Sequence, residues 1–265
     1  MKLKELKLDI NCDKYKFDET RHKHYINGNE VTGTTTICGV IDKPALMPWA
    51  VKVSMEKLVE ITGDGPLTKE NIDEAKKAPF QKKTTAGSFG TVVHAVAEHF
   101  NKTGVVLPCN SLELDEKVQS LAQTFTEKEL KKGDKLISQY IEWFNKVGAK
   151  VLYVEQNVFS ETHHIGGIFD LVLEINGKIY LTDFKTSSGV YPSQFIQMGG
   201  YDIQLEEMME RGYIQDFAVD GFIVIHLPRK GSCKVHIKEN TDHYRRAFRA
   251  CIYIYRLIND QLWAL

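Results

Sequence analysis

One stretch constrains the fold of this chain more than any other: "IGGIFDLVLEINGKIYLTDFKTSSG", residues 165–189. Two runs rich in Ile, Leu, Val, Phe and Tyr flank Asn176-Gly177, the dipeptide that best suits a two-residue type I′ hairpin turn. Ile175 and Lys178 flank that turn, and counting back from them sets Asp170 directly opposite Asp183. Opposed residues of an antiparallel pair share a face, with Cβ atoms ~5 Å apart. Lys185, two residues beyond Asp183, shares that face. Like charges placed opposite each other destabilise a hairpin unless something neutralises them. The bland alternative is a solvated face on which Lys185 pairs with one of the acids. Phe169, Leu171, Leu181 and Phe184 are residue types that seek burial, and they weaken it. A hard cation such as Mg²⁺, which takes oxygen ligands and few carboxylates, satisfies the pair directly.

The rest of the chain reads as α/β. Short strands surround an Asn27-Gly28 turn near the N-terminus. A helix is expected from about Trp49 to Ile61. A short helix capped by Thr68 and stopped by Pro79 follows, then a separate helix ending near Gly104. One or two amphipathic helices close at Gly148. Three strand-like runs, a helix, two more strands and a last helix capped by Thr241 or Asp242 complete the order. No linker or repeat stands out. The expectation is one domain over 1–265, with a helix-rich front part at about 45–148 and a strand block at about 149–240.

Composition sets the outer bounds. Hydrophobic residues make up 43% and charged residues 26% of the 265, with a net charge of −1. Nucleic acid would therefore meet local basic patches, not a global positive field. No run approaches the roughly 18 apolar residues of a membrane span. The charged N-terminus lacks the apolar centre of a secretory signal. The five cysteines, Cys12, Cys38, Cys109, Cys233 and Cys251, are scattered without a CxxC pair, so no iron–sulfur cluster is expected. A reducing cytoplasm fits them.

Further residues fall into an ordered set. Glu155 lies in the strand-like run "VLYVEQNVF". "GGIFD" follows with Asp170, then "TDFK" with Asp183 and Lys185, then "QMGGY" with Gln197 and Tyr201 four apart on one helical face. Upstream, "GTVVHAVAE" carries His94. That set resembles the PD-(D/E)XK nuclease superfamily, and within it the RecB-like group that includes phage-type exonucleases. "VTGTTTICGVIDKPALMPWA" resembles the opening segment of phage-type members.

The resemblance implies a restriction-endonuclease-like core, a central mixed β-sheet flanked by helices. It implies a metal-dependent hydrolase of DNA, most simply an exonuclease acting in recombination, repair or degradation. Mg²⁺ or Mn²⁺, as one or two ions, would be held by His94, Asp170, Asp183 and the Phe184 backbone carbonyl. Glu155 would orient the site or ligate a second ion. Lys185 would orient the attacking water and stabilise developing charge, with Gln197 and Tyr201 supporting the site or touching DNA. A recombination or single-strand-binding protein is the implied partner. A structure-specific or other endonuclease on the same core is the main alternative, and a non-catalytic DNA-binding protein on a decayed nuclease fold is a lesser one. Lys76, Lys77, Lys82 and Lys83, or Arg245, Arg246 and Arg249, with Trp49, Phe89 and Tyr191, are candidates to line a groove for single-stranded DNA.

Overall fold

A computed structural model describes residues 14–260. The N-terminal segment 1–13, and Cys12 with it, lie outside the described residues. Three short strands open the chain: β1 (Tyr15–Asp18), β2 (Lys23–Ile26) and β3 (Asn29–Gly33). One helical turn, α1 (Thr34–Ile37), leads through a 3₁₀ turn to α2 (Leu46–Thr62). Then come α3 (Lys69–Thr103), α4 (Glu116–Ala122) and α5 (Glu127–Lys146). The strand block is β4 (Lys150–Ser160), β5 (Ile165–Ile175) and β6 (Lys178–Lys185). The chain closes with α6 (Pro192–Glu210), β7 (Gly221–His226), β8 (Lys234–Lys238) and α7 (Asp242–Ile258).

Turn chemistry explains the hairpins. Asn27 and Gly28 have φ of 50° and 79°, and Asn176 and Gly177 have 52° and 78°. A type I′ turn demands positive φ at both central positions, which Asn and Gly tolerate best. Thr126 caps α5 through a full capping box with Glu129. Thr241 occupies the N-cap position of α7 but makes no side-chain cap bond.

One expectation fails. Pro79 does not end a helix, because Lys69–Thr103 is a single α-helix of 35 residues with Pro79 inside it. An interior proline costs roughly 3 kcal/mol. Two contributions offset that. α3 packs against α2, and Lys82, one turn past Pro79, reaches Glu56 on α2. Beyond it, Val92, Val93, Val96 and Ala97 are completely buried in the core, each valine contributing on the order of 1.5–3 kcal/mol.

All eight strands join one mixed sheet in the order β1-β2-β3-β5-β6-β7-β8, with β4 on the other edge of β5. The β6–β7 and β3–β5 pairings are parallel and the others antiparallel. Helices cover both faces. On one, α3 and α5 pack Val96, Leu136 and Tyr140 against Leu171, Leu173 and Phe184. On the other, α6 packs Met198, Leu205 and Met208 against Phe169, Val172 and Leu181. Outside α6, α7 adds Phe248 and Ile252 over Ile203.

The sheet has one interruption that matters. β4 pairs along nearly all of β5, from Ile165 to Glu174. On the opposite edge, β6 pairs only with Leu171–Ile175, and β3 only with Ile165 and Gly166. Residues 167–170 therefore face no strand on that edge. "GGIFD" ends in the opening.

Candidate active site

The hairpin count sets the register correctly, but the ladder stops one pair short. Leu171↔Thr182 is the last pair, so Asp170 and Asp183 are not a paired couple within the ladder. Where the strands part, the Asp170 carboxylate takes over a backbone role, and its Oδ2 accepts the Phe184 N–H at 2.8 Å. The same oxygen lies 3.7 Å from His94 Nδ1. Lys185 Nζ donates to Asp183 Oδ1 at 2.9 Å and lies 2.7 Å from Oδ2. That contact to Oδ2 lies outside hydrogen-bonding directions, leaving a buried carboxylate oxygen without a hydrogen-bond partner.

Gly90 brings α3 to this point. A Cβ there would stand 2.6 Å from Thr186 Oγ1, so only glycine lets α3 close against the segment just past Lys185. One turn on, the His94 ring meets Phe184 edge-on at 5.8 Å. Glu155 comes from the other side of β5. The β4–β5 register runs through Val154↔Leu171 and Gln156↔Phe169, which sets Glu155 beside Asp170. Its φ of 47° is a left-handed value inside a strand, a strain of order 1–3 kcal/mol. Gln197 Nε2 donates to Tyr201 Oη at 2.7 Å and reaches Thr35 Oγ1 at 3.4 Å. Tyr201 in turn packs on Gly167, where a Cβ would meet its ring at 2.7 Å and Thr34 Oγ1 at 2.6 Å. Glu155, Asp170 and Tyr201 share a cavity of about 650 Å³.

Burial and mutual repulsion set the protonation states. Burial, then the charges of Asp170 and Glu98, push the Glu155 carboxyl up to about 9. Burial lifts Asp183 to about 7, with Lys185 opposing and Asp170 adding to the rise. Burial works against the Lys185 charge, but Asp183 and Asp170 outweigh it and hold the ammonium above its ordinary value. Packing around His94 lowers its pKa against the pull of Asp170, although about a third of the side chain still reaches solvent. Burial raises the Tyr201 phenol.

The donor set suits a hard divalent cation: carboxylates, one imidazole and an Asp183 oxygen lacking a hydrogen bond. The positions are not those of a closed cage. Among the described residues, no three His, Cys, Asp or Glu side chains stand close enough to hold a metal ion. Lys185 instead supplies the positive charge beside Asp183.

Several residues of the expected groove are engaged elsewhere. Phe89 is 1% exposed in the core, where the Arg229 guanidinium covers its ring. Arg245 pairs with Asp202 and Glu206 between α6 and α7. Lys76, Lys77 and Lys82 pair with exposed acids on α2 and α3. Trp49 and Tyr191 remain partly open to solvent. Sequence reasoning missed two contributors. Glu98 stands one turn beyond His94 and adds to the field on both His94 and Glu155; its i+4 spacing is a usable signal. The β1–β2 turn brings Arg21, His22 and Lys23 to the cavity's rim, a long-range placement with no local signal.

The sequence model of the PD-(D/E)XK nuclease superfamily matches residues 69–256, more than two-thirds of the chain. The chain belongs to that superfamily, and its mixed sheet between helices is the fold expected of it. Nucleases of this kind generally use divalent metals. Among solved structures, a candidate exonuclease from Eubacterium rectale is similar at 16% identity and a TM-score of 0.42, over 67% of this chain and 69% of that one. SSO0001 is similar at 10% identity and a TM-score of 0.29, over 66% and 86%. Similarities this distant add nothing to the family assignment. No protein of curated function matches the sequence. Among the described residues, no helix is long and apolar enough to cross a membrane.

Proposed function

We propose that this chain is a Mg²⁺- or Mn²⁺-dependent deoxyribonuclease, acting as an exonuclease of the RecB-like and phage type and working as one domain. The observation that carries the reading is the convergence of Asp170, Asp183 and Lys185 at the opening in β5, in a chain of the nuclease superfamily. Asp170 and Asp183, with His94 and the Phe184 carbonyl, would hold the ion, and Glu155 would orient the site or hold a second one. A bound divalent ion supplies an activated water and neutralises phosphate and leaving-group oxygens.

The chain's own groups do the rest. Lys185 stays protonated at neutral pH, so it donates to the water or the phosphate and stabilises charge developing there; it does not act as a base. The Phe184 N–H fixes one Asp170 oxygen and so aims the other. Gln197 and Tyr201 form a hydrogen-bonded pair beside the cavity, placed to position the substrate strand. Incubation with Mg²⁺ and linear, circular, single- and double-stranded DNA labelled at either end tests the reading. Mononucleotide or short products from linear DNA, with circles intact, are expected. Rapid cutting of circles would move the assignment to an endonuclease, and no cleavage of any substrate would remove it.

A further inference from the structure

A second cavity, of about 450 Å³, opens where β6 ends. Its lining includes Lys234, Lys238, His226, His236, Tyr191 and Tyr244, and no lining residue is acidic. Across the sheet, register sets Lys185 beside His226, and His226 beside Lys234. The same ladder pairs His236 with Val224 and Lys238 with Phe222. Paired residues share a face, so a basic row runs from Lys185 through His226 to Lys234 at roughly 4.8 Å per strand.

The two lysines of the cavity are uncommitted, whereas Lys185 is paired with Asp183 and His226 Nε2 donates to the Ser187 carbonyl at 2.7 Å. Neither Lys234 nor Lys238 has an ion pair with a described acid, and Lys238 lies over the Phe195 ring at 5.9 Å. His236 Nε2 is buried without a hydrogen-bond partner. Burial first, and then the neighbouring His226, Lys234 and Lys238, hold its pKa below the ordinary value. The N-terminus of α6, a helix of 19 residues, also borders the cavity at Tyr191 and Pro192, adding partial positive charge. Tyr191 is 47% exposed at the edge and offers a face on which a base can stack.

We propose that this cavity is a phosphate site that grips a non-scissile phosphodiester of a single-stranded nucleic acid, one stop along the basic row from Lys185. Its link to the scissile bond rests on the nuclease reading above; its capacity to bind a strand does not.

The test uses the full chain in EDTA, a fluorescent single-stranded oligonucleotide and anisotropy titrations over a range of salt. The double variant Lys234→Ala/Lys238→Ala removes exposed side chains, and its circular dichroism should match that of the wild type. Binding should weaken about tenfold, and the slope of log K against log salt should shrink by about 0.7–1.4, the release of one or two phosphate contacts. Lys234→Arg/Lys238→Arg should retain binding. Metal-dependent cleavage of bis(p-nitrophenyl) phosphate, too small to reach the cavity, should be unchanged in the alanine variant. Unaltered oligonucleotide affinity and salt slope would overturn the proposal. So would calorimetric binding of inorganic phosphate that the variant loses while oligonucleotide binding stays intact, which marks a free-anion site. If the wild type cleaves nothing yet the affinity loss appears, the nuclease reading falls and the strand site stands.

Discussion

Replacing Glu155 with glutamine should make the metal-free protein more stable as pH rises. Burial and the charges of Asp170 and Glu98 push the Glu155 carboxyl from its ordinary 4.5 up to about 9. A folded-state pKa above the unfolded one gives stability that is present below about pH 4.5 and lost as pH climbs toward 9, because the folded state holds a proton the unfolded state has released. The loss approaches 1.4 kcal/mol per pH unit for a fully shielded group. Glu155 keeps some exposure, so a discounted total of about 2–4 kcal/mol by pH 8 is the reasonable scale. The substituted amide is nearly isosteric and carries no such linkage. Thermal unfolding in EDTA at intervals from pH 5 to 9 should show a gap that widens in favour of Glu155→Gln, to about 5–15 °C at pH 8. Parallel curves, or a variant that loses stability with pH faster than the wild type, would refute the reasoning that these acids crowd one desolvated site.

Other outcomes follow from the same geometry. Burial pushes the Asp183 carboxyl up to about 7, and a cation needs it ionised, so Mn²⁺ affinity by calorimetry should fall about tenfold from pH 8 to pH 6; equal affinities would separate Asp183 from the metal. Gly167→Ala pushes a methyl into Tyr201 and Thr34, which should cost about 1–3 kcal/mol in denaturant unfolding and slow cleavage; an unchanged midpoint would show that the contact relaxes freely. Burial holds His24 down at about 4, so its neutral form contributes stability present above about pH 6.5 and lost as pH falls toward 4, on the order of 2–3 kcal/mol. An NMR titration placing His24 near 6.5 would contradict that.

The sequence carries a large part of this architecture, for local reasons. The strands β4, β5 and β6 and both Asn-Gly turns are legible because side-chain alternation and positive φ are local constraints. Asp183 and Lys185 share a face by simple period-two counting. The length of α3 is not legible: Pro79 is a strong local stop signal, and the packing that overrides it comes from α2 and the distant sheet. The splaying of β5 from β6 is equally hidden. It depends on β3, over 130 residues upstream, claiming the edge of β5 and leaving Asp170 to replace a ladder acceptor. The strand that carries Glu155 is plain from its apolar run, but the residue's left-handed φ gives no sequence signal. Phe89, set among small and polar residues in "AGSFGT", gives no local sign that it faces the core.

The central claim is that the carboxylate–lysine group at the opening in β5 hydrolyses DNA, and cleavage of end-labelled linear DNA by Asp183→Asn and Lys185→Ala tests it most directly. The wild type should degrade the substrate with Mg²⁺ or Mn²⁺ and stop in EDTA, and each variant, purified identically and still folded, should lose at least ~100-fold in rate. Cleavage at wild-type rate by either folded variant would contradict the assignment.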